Sequence, residues 1–179
     1  MSKSENKRLR DIIAESLSFL VSVATIVGIP VALYGYFQTK QEDRINRTYD
    51  YYKQYHDSQL PLDVNTLIAA WNDKATEAQQ FLAKNDYEGL NNLQTEVAQD
   101  AKISPALGRV VVFFDGIGTC VTTSLCDEDT AYALLYEPAS RIRSAYGGFL
   151  TKYQSPGLPF AQGIFTVAGL SPPKKWWTF

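Results

Sequence analysis

The residues that could carry proton or nucleophile chemistry are few, and their spacing fits no catalytic arrangement. His56 is the single histidine, and eight residues separate it from Arg47, the nearest arginine before it. A histidine can move protons near neutral pH and an arginine can bind a phosphate, but no recognised spacing joins these two residues into a catalytic motif. Cys120 has no flanking motif and no activating histidine other than His56. The residues therefore predict that the protein is not an enzyme.

Patterns that bind phosphates or metals are also missing from the sequence. The segment DGIGTC at 115–120 has two glycines but lacks the third glycine and the preceding strand of a dinucleotide fingerprint. Glycines inside a helix more simply indicate a close contact with another helix. The acidic residues at 127–129 resemble half of a cation site, but acidic residues also suit a helix start because of the helix dipole. We expect no metal and no cofactor.

The two cysteines, Cys120 and Cys126, are six positions apart. On one helix they would lie roughly 9 Å apart along the axis and on different faces, which excludes a disulfide. The sequence therefore predicts free thiols, which are typical of a reducing compartment.

The charge is divided unevenly along the chain. The net charge of the 179 residues is -2, yet residues 1–11 contain four lysines and arginines against two acidic residues. The remainder is therefore acidic. Binding to nucleic acid needs a basic face, so nucleic acid is not favoured as a partner.

The longest apolar stretch runs from Leu17 to Phe37, without a charge. As a helix, its 21 residues would extend roughly 31 Å, about the thickness of the hydrocarbon core of a bilayer. A buried core helix and a signal peptide are the alternatives, but no convincing cleavage site follows. We therefore predict a transmembrane helix over 12–37.

Several residues of this helix have predicted roles. Ala24, Gly28 and Ala32 recur every four positions and form a helix-packing face. Pro30 is expected to kink the helix. The predicted pore-lining residues, if the helix lines a pore, are Ser18, Ser22 and Thr25. The predicted interfacial anchors are Tyr34, Tyr36, Trp176 and Trp177, because amphipathic rings favour the headgroup layer.

The rest of the chain has the periodicity of helices. The first helix is expected to continue to about His56. Asp63 and Asp127 are predicted N-caps, and either Asn85 or Asp86 is expected to start a further helix. The run RVVVFF at 109–114 could be a strand, but the spacing of its whole segment favours a helix. We predict an all-α fold with one N-terminal transmembrane helix that continues into a bundle of about four helices.

The C-terminal segment differs in composition. Residues 155–179 contain four prolines and three glycines, together with apolar residues that must be buried somewhere. The bundle, a neighbouring subunit and the bilayer surface are all open as partners of this segment. The predicted organisation is a basic segment at 1–11, the transmembrane helix at 12–37, the bundle at 38–154 and an irregular apolar tail at 155–179.

Two segments, KRLRDIIAESLSFLVSVATIVGIPVALYGYFQTKQED and VVVFFDGIGTCVTTSLCDEDTAYALLYEPASRIRSAYGGFL, resemble small bacterial membrane proteins of unknown function. These proteins combine an N-terminal anchor helix with a compact helical domain. The architecture is also similar to membrane accessory proteins of RNA-targeting (type VI) CRISPR systems, which form pores. Neither resemblance implies catalytic residues. HEPN-type ribonucleases place four to six residues between arginine and histidine, so Arg47 and His56 depart from that spacing.

The leading hypothesis is a protein of the bacterial inner membrane that acts through homo-oligomeric assembly, as a phage-defence effector or a pore. The lipid bilayer and further copies of the chain are the expected partners, and the helical domain is expected on the cytoplasmic side. Lysines and arginines do not decide the orientation, because four precede the span and four follow it within twenty residues. The alternatives are a membrane-tethered, divergent HEPN-type ribonuclease and a passive tether that recruits a cytosolic protein.

Overall fold

The computed structural model describes residues 3–154 and 160–172, and it describes side chains from residue 25 onward within these ranges. The described residues form helices without strands, so the predicted all-α class is confirmed. The helices are α1 (Lys3–Asp57), α2 (Leu60–Asp73), α3 (Ala75–Ala83), α4 (Tyr87–Gln99), α5 (Ser104–Thr122), α6 (Glu128–Lys152) and α7 (Gln162–Val167). Six helices thus follow α1 in the described residues, where the sequence predicted about four.

The chain divides into two compact units, residues 1–43 and 44–179. In the described residues, the first unit consists of the N-terminal part of α1. The second unit contains the end of α1 and all the other helices, and we call it the helical domain. The hydrophobic core of the chain lies in the helical domain.

The end of α1 agrees with the prediction, because the helix stops at Asp57, one residue after His56. The Ser58 hydroxyl donates to the Tyr55 carbonyl and accepts from the Leu60 N–H, which turns the chain into α2. Pro61 lies in the first turn of α2, where its missing N–H costs nothing.

The prediction that Asp63 caps α2 is wrong, because Gln59 is the N-cap residue. Asp63 is instead a buried carboxylate that accepts two hydrogen bonds from Arg109 of α5. The bonds join Nε to Oδ2 and Nη2 to Oδ1, each at 2.8 Å. This paired geometry compensates for burying the charge, and it joins α2 to α5.

Helix α5 lies at the centre of the helical domain. Its run RVVVFF is helical, as the spacing predicted. Neighbouring helices α2, α4, α6 and α7 all contact α5. The side chains that α5 contributes to the core are Leu107, Val110, Val111, Phe113, Phe114 and Ile117.

One helical pattern of the sequence is divided in the structure. The apolar residues from Val64 to Leu82 have the spacing of a single helix, whereas the chain forms α2 and α3 with Lys74 between them. Of the two predicted starts, Asp86 is the N-cap of α4, and its Oδ1 accepts from the Gly89 N–H at 2.8 Å. Asn85 adopts the left-handed conformation just before this cap, with φ of 55°.

Helix α6 continues through a proline and through a pair of glycines, residue types that often end helices. Pro138 lies inside α6, and the pair Gly147–Gly148 does not end it. Gly148 is a contact point with α4, because a Cβ atom there would overlap the side-chain amide of Asn91. The Gln94 side chain, also from α4, accepts from the Phe149 N–H at 3.1 Å.

The prediction of an irregular tail is wrong for residues 162–167, which form α7 and pack on α5 and α6. Gly163 lies directly against the backbone of Phe114 and Asp115, and Gly118 faces Gly163. Ile164 and Val167 are fully buried. The described part of the tail therefore packs on the bundle, and residues 155–159 and 173–179 lie outside the description.

Asp115 of α5 holds the start of α7 through its carboxylate. The Ala161 and Gly163 N–H groups donate to it at 2.9 and 2.7 Å. Partial burial raises the pKa of Asp115, and the two backbone hydrogen bonds oppose that shift.

The stability contributed by Asp115 is expected to fall as pH rises. Because the folded-state pKa is raised, the folded protein favours the protonated carboxyl. The contribution is complete below pH about 4 and is lost as pH rises through the raised pKa. Denaturant titrations measure the free energy of unfolding of the natural chain and of Asp115→Asn. From pH 3 toward pH 6, we expect the natural chain to lose stability relative to the variant. A difference that shifts the other way would show that the hydrogen bonds outweigh burial.

Candidate functional site

The most unusual surface of the described residues is the apolar part of α1 from residue 25 to residue 37. None of these thirteen residues is charged, and every one is exposed. The large apolar side chains among them are at least 51 % exposed: Ile26, Val27, Ile29, Val31, Leu33, Tyr34, Tyr36 and Phe37. A continuous apolar surface of this kind marks contact with a membrane or another protein. We call residues 25–37 the apolar segment.

The predicted helix-packing face is open where the structure describes it. Gly28 and Ala32 are exposed, and a Cβ atom added at Gly28 would have no neighbour within 4 Å. Thr25 is also exposed, and Pro30 lies inside α1 without ending it. The side chains of Ala24, Ser18 and Ser22 lie outside the description.

The C-terminal end of the apolar segment presents exposed aromatic rings next to a lysine. Tyr36 and Phe37 pack edge to face, with ring centroids 5.8 Å apart. The Lys40 ammonium lies 5.1 Å from the centre of the Tyr36 ring. Tyr34 is exposed as well. Trp176 and Trp177 lie outside the described residues.

By length and composition, α5 is the one helix among the described residues that could cross a membrane. Half of its apolar window is buried inside the protein, as is common for the core helix of a domain. Residues 17–24 of the predicted N-terminal span have no described side chains, so this finding does not extend to the whole stretch.

The second notable feature is the turn between α5 and α6, which holds the end of α1. The Thr48 hydroxyl of α1 accepts from the Asp127 N–H at 2.9 Å and donates to the Arg44 carbonyl at 2.9 Å. The Arg44 guanidinium donates to the Cys126 carbonyl at 3.2 Å. Thr48 is completely buried. Sequence reasoning missed Thr48, whose only signal was a hydroxyl on the apolar side of α1.

Thr48→Val is expected to lower the stability of the helical domain by about 1–3 kcal/mol, because it removes a buried acceptor from the Asp127 N–H. Thr48→Ser keeps the hydroxyl and is the matched control. Thermal unfolding of the full chain in mild detergent measures both. Thr48→Val keeps the methyl group and Thr48→Ser lacks it, so a loss seen only in Thr48→Ser would assign the effect to the methyl group instead of the hydrogen bonds.

The prediction of free thiols is wrong, because Cys120 and Cys126 form a disulfide. Helix α5 ends at Thr122, so Cys126 does not lie on the same helix as Cys120. Ser124 adopts a left-handed conformation, with φ of 57°, and reverses the chain. The Cα atoms of the two cysteines are then 5.1 Å apart.

The candidate ribonuclease residues are not brought together. Arg47 and His56 both lie on α1, nine positions apart, which places them about 13 Å apart along the axis and on opposite sides. His56 packs against the rings of Tyr52 and Tyr55. Arg47 lines an open groove of about 450 Å³ between α1 and α5, together with Asp50.

The other sequence motifs have structural roles. Asp127 caps α6, its carboxylate accepting from the Thr130 N–H at 2.9 Å. Gly116 faces the ring of Tyr51, and Gly118 faces Gly163, so the glycines of DGIGTC mark close contacts. No group of three metal-ligating side chains occurs in the part of the chain that the structure describes.

Comparison with known proteins adds no relative, because no family model, curated protein or solved structure matches the chain. The fold alone therefore defines its class: an all-α protein in which the described part of a long first helix exposes an apolar segment.

Proposed function

We propose that the chain is a membrane-anchored helical protein that acts by assembling with copies of itself. The apolar segment carries this proposal. Thirteen consecutive uncharged and exposed residues are costly in water and stable in lipid. Together with residues 17–24 they complete an uncharged stretch long enough to span a bilayer.

The alternative span, α5, is already accounted for by the core. Its side chains Val110, Phe114 and Ile117 are fully buried between neighbouring helices. Moving α5 into lipid would remove the centre of the helical domain. The large side chains of the apolar segment are instead exposed, so this segment is the better candidate for the span.

Assembly would use the small residues of the same helix. Gly28 and Ala32 permit two backbones to approach closely, and in lipid such packing drives helix association. Tyr34, Tyr36 and Lys40 would lie at the headgroup layer. In its most specific form the assembly is a pore lined by Ser18, Ser22 and Thr25, serving as a phage-defence effector in the bacterial inner membrane.

Carbonate extraction of membranes and size analysis in detergent test the proposal. We expect the full chain to stay in carbonate-washed membranes and to elute as an oligomer. Gly28→Leu should reduce the oligomer, whereas Leu33→Trp, which adds bulk on the other side of the helix, should not. A chain released by carbonate would overturn the anchor. A monomer in detergent would overturn assembly and favour the passive tether.

Leakage from liposomes tests the pore form separately. Reconstituted full-length protein should release a small trapped dye, and Gly28→Leu should release less. An oligomer that releases no dye even at high density would contradict the pore and leave anchoring and assembly in place.

A further inference from the structure

We propose that the helical domain lies in an oxidising compartment, on the opposite side of the membrane from residues 1–11. The observation is the Cys120–Cys126 disulfide within the core of the domain. Its placement across the membrane rests on the proposed anchor, whereas the oxidising environment rests on the disulfide alone.

Backbone hydrogen bonds also connect the segments that carry the two cysteines. The Leu125 and Cys126 N–H groups both donate to the Cys120 carbonyl, at 2.9 and 3.0 Å. This wraps the chain around the last turn of α5. The resulting Cα separation of 5.1 Å lies within the range that a disulfide requires.

The surroundings are those of a structural disulfide. Cys126 is completely buried and Cys120 is buried as well. Redox-active pairs are accessible and commonly have the Cys-X-X-Cys spacing, whereas these two cysteines are buried and six positions apart. Buried disulfides of this structural kind persist in oxidising compartments and are rare in the cytosol.

The disulfide also lies where the domain needs a fixed turn. Cys126 and Asp127 supply the carbonyl and the N–H that hold Arg44 and Thr48 of α1. The adjacent disulfide restrains the turn whose backbone groups form these hydrogen bonds with α1. The bond therefore has a structural use at this position.

Placing the helical domain on the oxidising side also determines in which direction α1 would cross the membrane, which the distribution of lysines and arginines did not decide. If the helical domain faces the oxidising side, the basic residues at 1–11 remain in the cytoplasm, as the positive-inside rule permits. This inference replaces the expectation that the domain is cytoplasmic.

Thiol trapping tests the oxidising environment. Cells producing the full chain are quenched with acid, and the denatured protein is treated with a polymer-linked maleimide. We expect no mass shift without reductant and a two-thiol shift after reduction. Cys126→Ser should give a one-thiol shift under both conditions. A two-thiol shift of the natural chain without reductant would overturn the inference.

Labelling of an added thiol tests the side of the membrane. Glu88 is exposed at the start of α4, and Glu88→Cys leaves the natural disulfide intact. An impermeant maleimide should label position 88 in intact spheroplasts. Labelling only after lysis would overturn the inference. Carbonate extraction of the same cells separates the two proposals. A chain that carbonate releases but whose cysteines are oxidised would contradict the membrane anchor. It would still support the oxidising compartment.

Discussion

Replacing Val27 and Val31 together by aspartate is expected to release the chain from membranes. Both residues lie near the middle of the uncharged stretch and are exposed. An aspartate at the centre of a membrane helix costs about 3 kcal/mol, so the pair costs about 6 kcal/mol of insertion free energy. The fraction of full-length protein in carbonate-washed membranes measures the effect, and we expect nearly complete loss.

Val112→Asp is the control that separates the two candidate spans. Val112 lies near the middle of α5, and its side chain is 73 % exposed on the domain surface. If α1 is the span, this change should leave the protein in the membrane fraction. If Val112→Asp releases the chain and the Val27 and Val31 changes do not, α5 is the span and the proposed anchor is wrong.

Gly163→Ala is expected to detach α7 from α5. The added Cβ would overlap the carbonyl of Phe114, which is backbone and cannot rotate away as a side chain could. Overpacking usually lowers the stability of the fold by about 1–3 kcal/mol. Because the overlapping atoms here belong to the backbone, we expect Gly163→Ala to cost about 3 kcal/mol or more. Thermal unfolding in detergent should show the loss of stability, and limited proteolysis should show faster cleavage beside α7.

Gly108→Ala on α5 is the matched control. A Cβ atom there has no neighbour within 4 Å, and alanine is the better helix former. This change should stabilise the protein by about 0.5–1 kcal/mol. Similar destabilisation by both substitutions would show that the Gly163 contact does not hold α7.

The features that sequence predicted correctly are local. The end of α1, the cap at Asp127 and the helical state of RVVVFF agree with the structure. Each depends on residues within one or two turns, because capping and periodicity act over that range. The candidate packing face at Gly28 and Ala32 likewise came from periodicity alone, and it stays a prediction.

The features that sequence missed depend on residues distant along the chain. Asp63 was predicted to be an N-cap, whereas in the structure it accepts hydrogen bonds from Arg109, 46 positions away. Thr48 holds Asp127 across 79 positions. Such pairs form only when packing brings two helices together. The local sequence pattern around one residue does not predict which distant residue it will contact.

By itself, the sequence determined an all-α chain with a long first helix and an uncharged stretch near its start, because periodicity and composition decide these locally. Only the tertiary structure decided that the tail forms α7 against Gly118 and that the two cysteines meet. Both outcomes require the chain to reverse direction and two backbones to approach closely. Such approaches are set by the packing of the whole domain, which a linear spacing does not contain.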